Sequence, residues 1–287
     1  EKTINAEAAG AVAVIICNYL EEALGMAGGV DGTDPGIPTV SMKASDCQQI
    51  KNVLAMGETV TATIVLPEDS GPESVGSSMD NGVIAHEYGH GISNRLTGGP
   101  ANSDCLFNDE QQGEGWSDFF ALITTVRPGD TAETPRGIGN YADRKPADGG
   151  GIRRVPYTTD LTFNDHIMDD ILNTTAPHPL GEVWATAVWD LYWAMVDLYG
   201  FDEDIINGTG GNNMAIQLVM DGMKFQRCNP GFMDARDALF TADFLNYDGV
   251  HECLIWEVFA RRGMGEDADQ NDRFDRNDNL IGFATPP

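Results

Sequence analysis

Positive charge is scarce in this chain of 287 residues: 17 Lys and Arg stand against 45 Asp and Glu, for a formal net charge of −28. So acidic a surface repels phosphate backbones and anionic lipid headgroups, which makes nucleic acid and membranes poor partners. It favours solubility and tolerates high salt, which fits a saline exterior and ordinary acidic surface variation equally well. Long apolar runs are also missing. The longest, AVAVIIC at Ala11–Cys17, suits a buried strand and falls far short of the about 18–20 residues that span a bilayer. Cysteine is sparse, and Cys17, Cys47, Cys105, Cys228 and Cys253 form no CxxC pair. That argues against a thiolate zinc site and a thioredoxin-type redox motif. Two disulfides and one spare thiol would fit an exported chain, while isolated buried thiols would give the same count. The chain opens on Glu1 with no leader pattern, so export has to be argued from other features.

What is present describes a folded protein. The hydrophobic fraction of 41% excludes a disordered chain, and the length suits one large domain or two smaller ones. Residues 1–66 read as a small α/β unit. A helical stretch (EKTINAEAAG) leads into AVAVIIC, followed by a second strand IPTVSM, a helix over Asp46–Met56 and an alternating strand TVTATIV at residues 59–65. Between the first two strands, GMAGGVDGTDPG at residues 25–36 is rich in turn formers and reads as a surface loop. Residues 67–78 (PEDSGPESVGSS) have a linker's composition and mark a domain boundary.

Residues 79–287 are mainly helical. Trp116, Phe119, Phe120 and Ile123 share one helix face, as do Trp184, Val188, Leu191 and Met195; Leu218, Val219 and Met223; Ala235, Leu239 and Ala242; and Ile255, Val258 and Phe259. These stripes are read as core. Residues 127–180, rich in Pro, Gly and Asp, form a connection longer than a compact domain carries without a functional reason. The last twenty or so residues are acidic and irregular.

The chemistry is concentrated in HEYGHGISNRLTGGP, residues 86–100. One helical turn separates His86 from His90, so both imidazoles can address a common ion. Glu87 follows the first ligand directly, where its carboxylate can reach a water on the metal, and Val83, Ile84 and Ile92 can bury the helix. This is the HExxH arrangement of zinc hydrolases. A catalytic zinc needs a third protein ligand. The metzincin continuation would put a histidine at position 96, which is Leu96. Downstream, GEGWSDFF offers Glu114 to complete a His2Glu set, with Asp118 one turn later to accept the second N–H of a ligand histidine. The bland alternative is that Glu114 merely favours a helix N-terminus and Asp118 is solvated.

The segments MDNGVIAHEYGHGISNRLTGGP, GEGWSDFFA, GIRRVPYTTD, HPLGEVWATAVWDLYW, LVMDGMKFQRCNPGFMDARDALFTAD and CLIWEVFARRGMG, in order from Met79 to Gly265, resemble the signature segments of the fungalysin family of secreted zinc endopeptidases, which are thermolysin-like gluzincins. The resemblance implies zinc (Zn2+) ligands at His86, His90 and Glu114 and a catalytic glutamate at Glu87. It implies an α+β fold, a mainly helical thermolysin-like lobe over residues 79–287. Residues 1–66 resemble the second half of a protease-associated (PA) domain, which bacterial relatives carry inserted ahead of the zinc helix. The opening PA strands, and the β-rich lobe that forms the upper side of the family's cleft, have no counterpart here. The chain therefore reads as the C-terminal part of a longer enzyme whose upstream lobe and propeptide are among its expected partners, beside protein or peptide substrates.

His178, in PHPLGEVWA, resembles the family's VHxxGxVWA segment and is the candidate oxyanion donor. Tyr157 is as readily packed as catalytic, Arg153 and Arg154 are weaker candidates for holding a substrate carbonyl, and His166 and His251 read as surface or cap residues. The resemblance implies a Cys228–Cys253 disulfide. Cys17 and Cys47 share the PA-like unit and are candidates to pair, leaving Cys105 without a partner. The acidic tail, with Asp267, Asp269, Asn271, Asp272, Asp275 and Asp278, offers oxygens to calcium (Ca2+), but it has no EF-hand spacing and reads as a solvated tail. The leading reading is a secreted, extracellular zinc endopeptidase. Its rival is a catalytically incomplete fragment whose PA-like unit binds proteins or gates substrate access. A third, an aminopeptidase, lacks a GxMEN amine-anchoring motif.

Overall fold

Strands exist where the backbone finds a hydrogen-bonding neighbour, and among the described residues in the first part of this chain one pair of strands does so. The computed structural model describes residues 2–21, 35–64, 76–172 and 174–287, which fall into two compact units, Glu1–Ser74 and Val75–Pro287. In the first, helix α1 (Lys2–Ala8) precedes strand β1 (Val14–Cys17), which pairs in parallel with β2 (Thr39–Met42) in the register Val14↔Thr39 to Cys17↔Met42. Helix α2 (Ala44–Ala55) follows β2, and a Cys17–Cys47 disulfide fastens it to the end of β1. The alternating stretch expected as a strand is not one: residues 59–64 carry no strand pairing, because alternation supplies a face without supplying a partner edge. Residues 25–34 of the expected surface loop and 67–75 of the expected linker lie outside the described residues.

The second unit is built around helices α3 (Asn81–Leu96), α4 (Gly113–Thr125), α5 (His178–Tyr199), α6 (Gly211–Phe225), α7 (Phe232–Tyr247) and α8 (Glu252–Arg261). Sixteen of the 22 residues of α5 are buried, so it is covered nearly all round and runs through the core as a central helix must. Its Trp184 ring meets Trp116 of α4 at 5.0 Å, Phe232 of α7 at 5.3 Å and Phe259 of α8 at 5.7 Å between centroids. Every residue of the predicted apolar stripes is buried in this core. Small residues set how closely the helices cross. A Cβ on Gly89 of α3 would come within 2.8 Å of the Ser117 Cα on α4, and one on Gly115 of α4 within 2.7 Å of the Gly181 carbonyl on α5. These approaches bring Glu114 and Asp118 against α3 on one side and the start of α5 on the other.

The long 127–180 connection is ordered by its own contacts. Isolated bridges join Arg136 to Tyr157 and Ile138 to Gly151, and a 3-10 turn forms at Met168–Ile171. Arg262, fully buried at the end of α8, clamps it: Nε and Nη2 donate to Asp190 on α5 at 2.7 and 3.1 Å, and Nη1 to the Asn164 and His166 carbonyls at 2.8 and 3.1 Å. The tail also folds back, with bridges Met264↔Gly282 and Asp269↔Leu280.

Three expectations are corrected. His166 is buried rather than a surface residue, and His251, though it takes the N-cap position of α8, is buried as well. His251 Nδ1–H donates to Asp243 at 2.5 Å and its Nε2 accepts from the Tyr199 hydroxyl at 2.8 Å, so hydrogen bonds offset the burial. Cys228 bonds to Cys105, not Cys253. The Asn229 N–H donates to the Cys105 carbonyl at 2.9 Å, which brings those two loops together, whereas Cys253 sits exposed and free on α8. Ile84 is half exposed rather than part of the helix's buried face.

Thiol mapping of the unreduced chain should alkylate Cys253 alone. Cys105→Ala with Cys228→Ala should lower stability by about 2–5 kcal/mol in denaturant titration, while Cys253→Ala leaves it within about 0.5 kcal/mol of wild type.

Candidate active site

Helix α3 presents His86 and His90 on one face, one turn apart, and α4 presents Glu114 in its first turn. Asp80 caps α3, its side chain accepting from the Val83 N–H at 3.1 Å, so the register of the histidines is fixed from the helix start. The Nε2 atoms of His86 and His90 lie 3.2 Å apart, and Glu114 Oε2 is 3.1 Å from the first and 3.6 Å from the second. Two ligand atoms bound tetrahedrally at about 2.0–2.1 Å from zinc lie roughly 3.3 Å apart, so the trio matches that geometry. Glu114 Oε2 is also buried without a hydrogen-bond partner, an orphaned acceptor facing two ring nitrogens. Among the described residues this is the one group of three or more His, Cys, Asp or Glu side chains that could hold a metal ion. The donor set fits zinc, whose catalytic sites take three N or O ligands and keep one position open.

Behind the trio stands Asp118, with no exposed surface. His86 Nδ1–H donates to its Oδ1 at 2.7 Å, which fixes the tautomer and leaves Nε2 free. Arg153 adds a bidentate pair, Nε to Oδ2 at 2.6 Å and Nη2 to Oδ1 at 2.7 Å, and the Tyr157 hydroxyl donates to Oδ2. Burial alone would raise the pKa of Asp118, but the hydrogen bonds from His86 and Arg153 hold it below the usual carboxylate range. Burial likewise works against charge on His86, yet Asp118, hydrogen-bonded to its Nδ1, and the Glu114 carboxylate facing its Nε2 hold its pKa up at about 9. Glu114 stays well below its ordinary value because His86 and His90 outweigh its burial.

The remaining site residues are placed as follows. Glu87, exposed, lines a cavity of about 1180 Å³ with Asn81, Val83, Ile84 and Tyr88 of α3 and Thr124–Arg127 at the end of α4. His178, the first residue of α5, has its Nε2 3.5 Å from Glu114 Oε1 and a side chain 61% exposed, so it is free to meet a ligand. Tyr157 and Arg153 are fully or nearly buried and committed to Asp118. That removes both from direct contact with a substrate and assigns them to holding the site. Arg154 Nη2–H donates to His166 Nδ1 at 2.8 Å, and its backbone N–H donates to Glu182 at 3.2 Å. Glu182 escaped the sequence reading, although its position one turn after His178 was a signal for it.

Two histidines and a glutamate from two adjacent helices, with an aspartate behind the first histidine, make a group that could hold a metal ion. The chain belongs to the fungalysin metallopeptidase family, whose model matches residues 39–268, and a PA-domain model matches residues 1–50. Among relatives, an extracellular metalloproteinase MEP of Pyricularia oryzae is 44% identical over 202 residues, covering 67% of this chain and 31% of the relative. Extracellular metalloproteinase 4 of Trichophyton tonsurans is 43% identical over 206 residues, 68% of this chain and 31% of its own. An extracellular metalloproteinase mep of Aspergillus fumigatus is 42% identical over 218 residues, 73% and 33%. The chain thus spans about a third of the length of these curated relatives. Among the described residues no helix is long and apolar enough to cross a membrane.

Because a metal ligand must be deprotonated, an ion entering this trio displaces the proton from His86. Apparent zinc affinity, measured by chelator competition, should rise by up to about tenfold per pH unit from 7 to 9 and flatten above His86's pKa of about 9. The same raised pKa stabilises the metal-free fold fully below the ordinary 6.5, and that contribution is lost as pH rises through 9. A pH-independent affinity would contradict the assignment of the proton.

Proposed function

We propose that the chain is the catalytic part of a secreted zinc endopeptidase that hydrolyses peptide bonds in proteins, with residues 79–287 as the catalytic lobe, 67–78 as a linker and 1–66 as a partial PA-like module. The observation that carries this reading is the orphaned Glu114 Oε2 turned toward the paired Nε2 atoms of His86 and His90. Secretion is supported by the extracellular designation of the relatives and by two disulfides.

In this reading His86, His90 and Glu114 hold the zinc and Asp118 orients His86. Zinc supplies Lewis acidity toward the peptide carbonyl and acidifies a water. Glu87 takes the proton of the attacking water as the new carbon–oxygen bond forms. It then delivers that proton to the leaving nitrogen as the carbon–nitrogen bond breaks. His178 Nε2–H donates to the developing oxyanion, a role its exposure and its place beside Glu114 permit. The wall of the cavity away from α3 and α4 falls to the upstream lobe that the longer relatives leave room for, and a propeptide would occupy the same cleft.

Glu87→Gln should lower kcat/KM on casein by at least about 10²–10⁴-fold, with zinc content and thermal midpoint unchanged. Peptides blocked at both ends should still be cut by the wild-type chain. Retained activity in the variant would refute the role of Glu87. A zinc-loaded but inert wild type would instead assign activity to the chain only together with its upstream lobe.

A further inference from the structure

The loop that supplies two of the three donors to Asp118 is hung on α5, the helix that begins at His178. Bridges at Gly151 and Tyr157 frame this loop, and between them its backbone meets α5 at two points. At the first, the Arg154 N–H is shared between both carboxylate oxygens of Glu182, each at 3.2 Å. At the second, Asn164 Nδ2 donates to the Pro156 carbonyl and to the Thr186 hydroxyl, both at 3.1 Å. The Thr186 hydroxyl in turn donates to the Glu182 carbonyl at 2.8 Å, so the two attachments share one turn of helix.

Glu182 is an expensive residue to keep there. It is 6% exposed, and a carboxylate so far from water is costly unless its oxygens are satisfied. Among the described residues its one ion-pair partner is His166, with Nε2 3.4 Å from Oε2. Both oxygens are instead turned on a single backbone N–H, which fixes where the chain runs at Arg154. The residue before it, Gly181, packs on the ligand helix: a Cβ there would come within 2.4 Å of the Glu114 Cβ and 2.6 Å of the Gly115 nitrogen. One turn earlier, His178 Nε2 lies 3.5 Å from Glu114 Oε1. The first turns of α5 thus touch the metal-facing glutamate, carry His178 and hold the loop from which Arg153 reaches Asp118.

We propose that Glu182 is a positioning residue for the metal centre: by fixing the backbone at Arg154 it holds the Arg153 guanidinium on Asp118, and through Asp118 the ring of His86. Arg153 grips Asp118 through two parallel bonds, at 2.6 and 2.7 Å. A bidentate pair of this kind depends on the orientation of both planes, so a shift of the adjoining backbone loosens it. Asp118 then constrains the His86 ring less, and Nε2 meets an ion less squarely. Glu182 itself touches neither ion nor substrate in this role, which rests on the zinc reading of the His2Glu trio.

The test is a double-mutant cycle on zinc affinity, measured by chelator competition with the full chain as wild type, Glu182→Ala, Asp118→Asn and the pair. Glu182→Ala should weaken zinc binding by about 3–10-fold, less than a group bonded directly to a ligand histidine. Glu182→Gln, whose amide oxygen still accepts the Arg154 N–H, should bind zinc more tightly than Glu182→Ala. In the Asp118→Asn background Glu182→Ala should leave the constant nearly unchanged, because the path to His86 is already cut. A folded Glu182→Ala chain with wild-type zinc affinity overturns this proposal and leaves the zinc reading intact. Equal weakening in both backgrounds also overturns it, since Glu182 then supports the fold at large. A wild type that binds no zinc overturns the zinc reading and the proposal with it. Should Glu182→Ala fail to fold, the cycle is run with Glu182→Asp, and full additivity with Asp118→Asn overturns the proposal equally.

Discussion

One carboxylate with no access to water, Asp118, organises the candidate site of this molecule. Burying a lone carboxylate costs several kcal/mol, and the fold offsets that penalty with donors from three directions: the His86 ring from α3, the Arg153 guanidinium in a bidentate grip, and the Tyr157 hydroxyl. Together they tie two stretches of chain to α4, namely α3 through His86 and the loop at residues 153–157 through Arg153 and Tyr157. Remove the aspartate, and a histidine, an arginine and a tyrosine lose their common partner at once. The close crossing of α3 and α4 at Gly89 and Ser117 is what lets the carboxylate reach His86 at all.

This arrangement separates two tasks. Asp118 and its donors determine orientation: they hold His86 by Nδ1 and leave Nε2 turned to His90 and Glu114. Glu114 then serves as the ion-facing carboxylate, with Arg153 Nη2 3.6 Å from its Oε2 and His178 3.5 Å from its Oε1. Asp118 is thus fully matched by donors, while Glu114 keeps Oε2 without a hydrogen-bond partner, turned to the two ring nitrogens, in a chain whose overall charge is strongly negative. The glutamate between the two histidines stands apart from this network. Glu87 projects from the exposed side of α3 into the cavity, where it is free to handle protons.

Much of the site was legible because its parts lie one helical turn apart. His86 and His90, and again Glu114 and Asp118, occupy i and i+4 positions, so local periodicity alone predicts which side chains share a face. The apolar stripes around Trp116 and Trp184 were readable for the same reason. Contacts between segments far apart in sequence were not. Nothing in GIRRVPYTTD indicates that Arg153 and Tyr157 turn inward to Asp118 rather than outward to a substrate. The Cys105–Cys228 bridge depends on two loops 123 residues apart meeting in space, and the burial of His166 and His251 depends on partners contributed by α5, α7 and the 150s loop. The strand expected over residues 59–65 failed on the same ground, since alternation describes one strand and pairing requires two.

Asp118 is the group that would aim His86 at a metal. The most direct measurement is the zinc dissociation constant of the wild-type chain against that of Asp118→Asn, which keeps the shape of the side chain but loses its charge. The account predicts one zinc per wild-type chain and an affinity about 10–100-fold weaker in the variant. An undiminished affinity in a folded Asp118→Asn chain would contradict it.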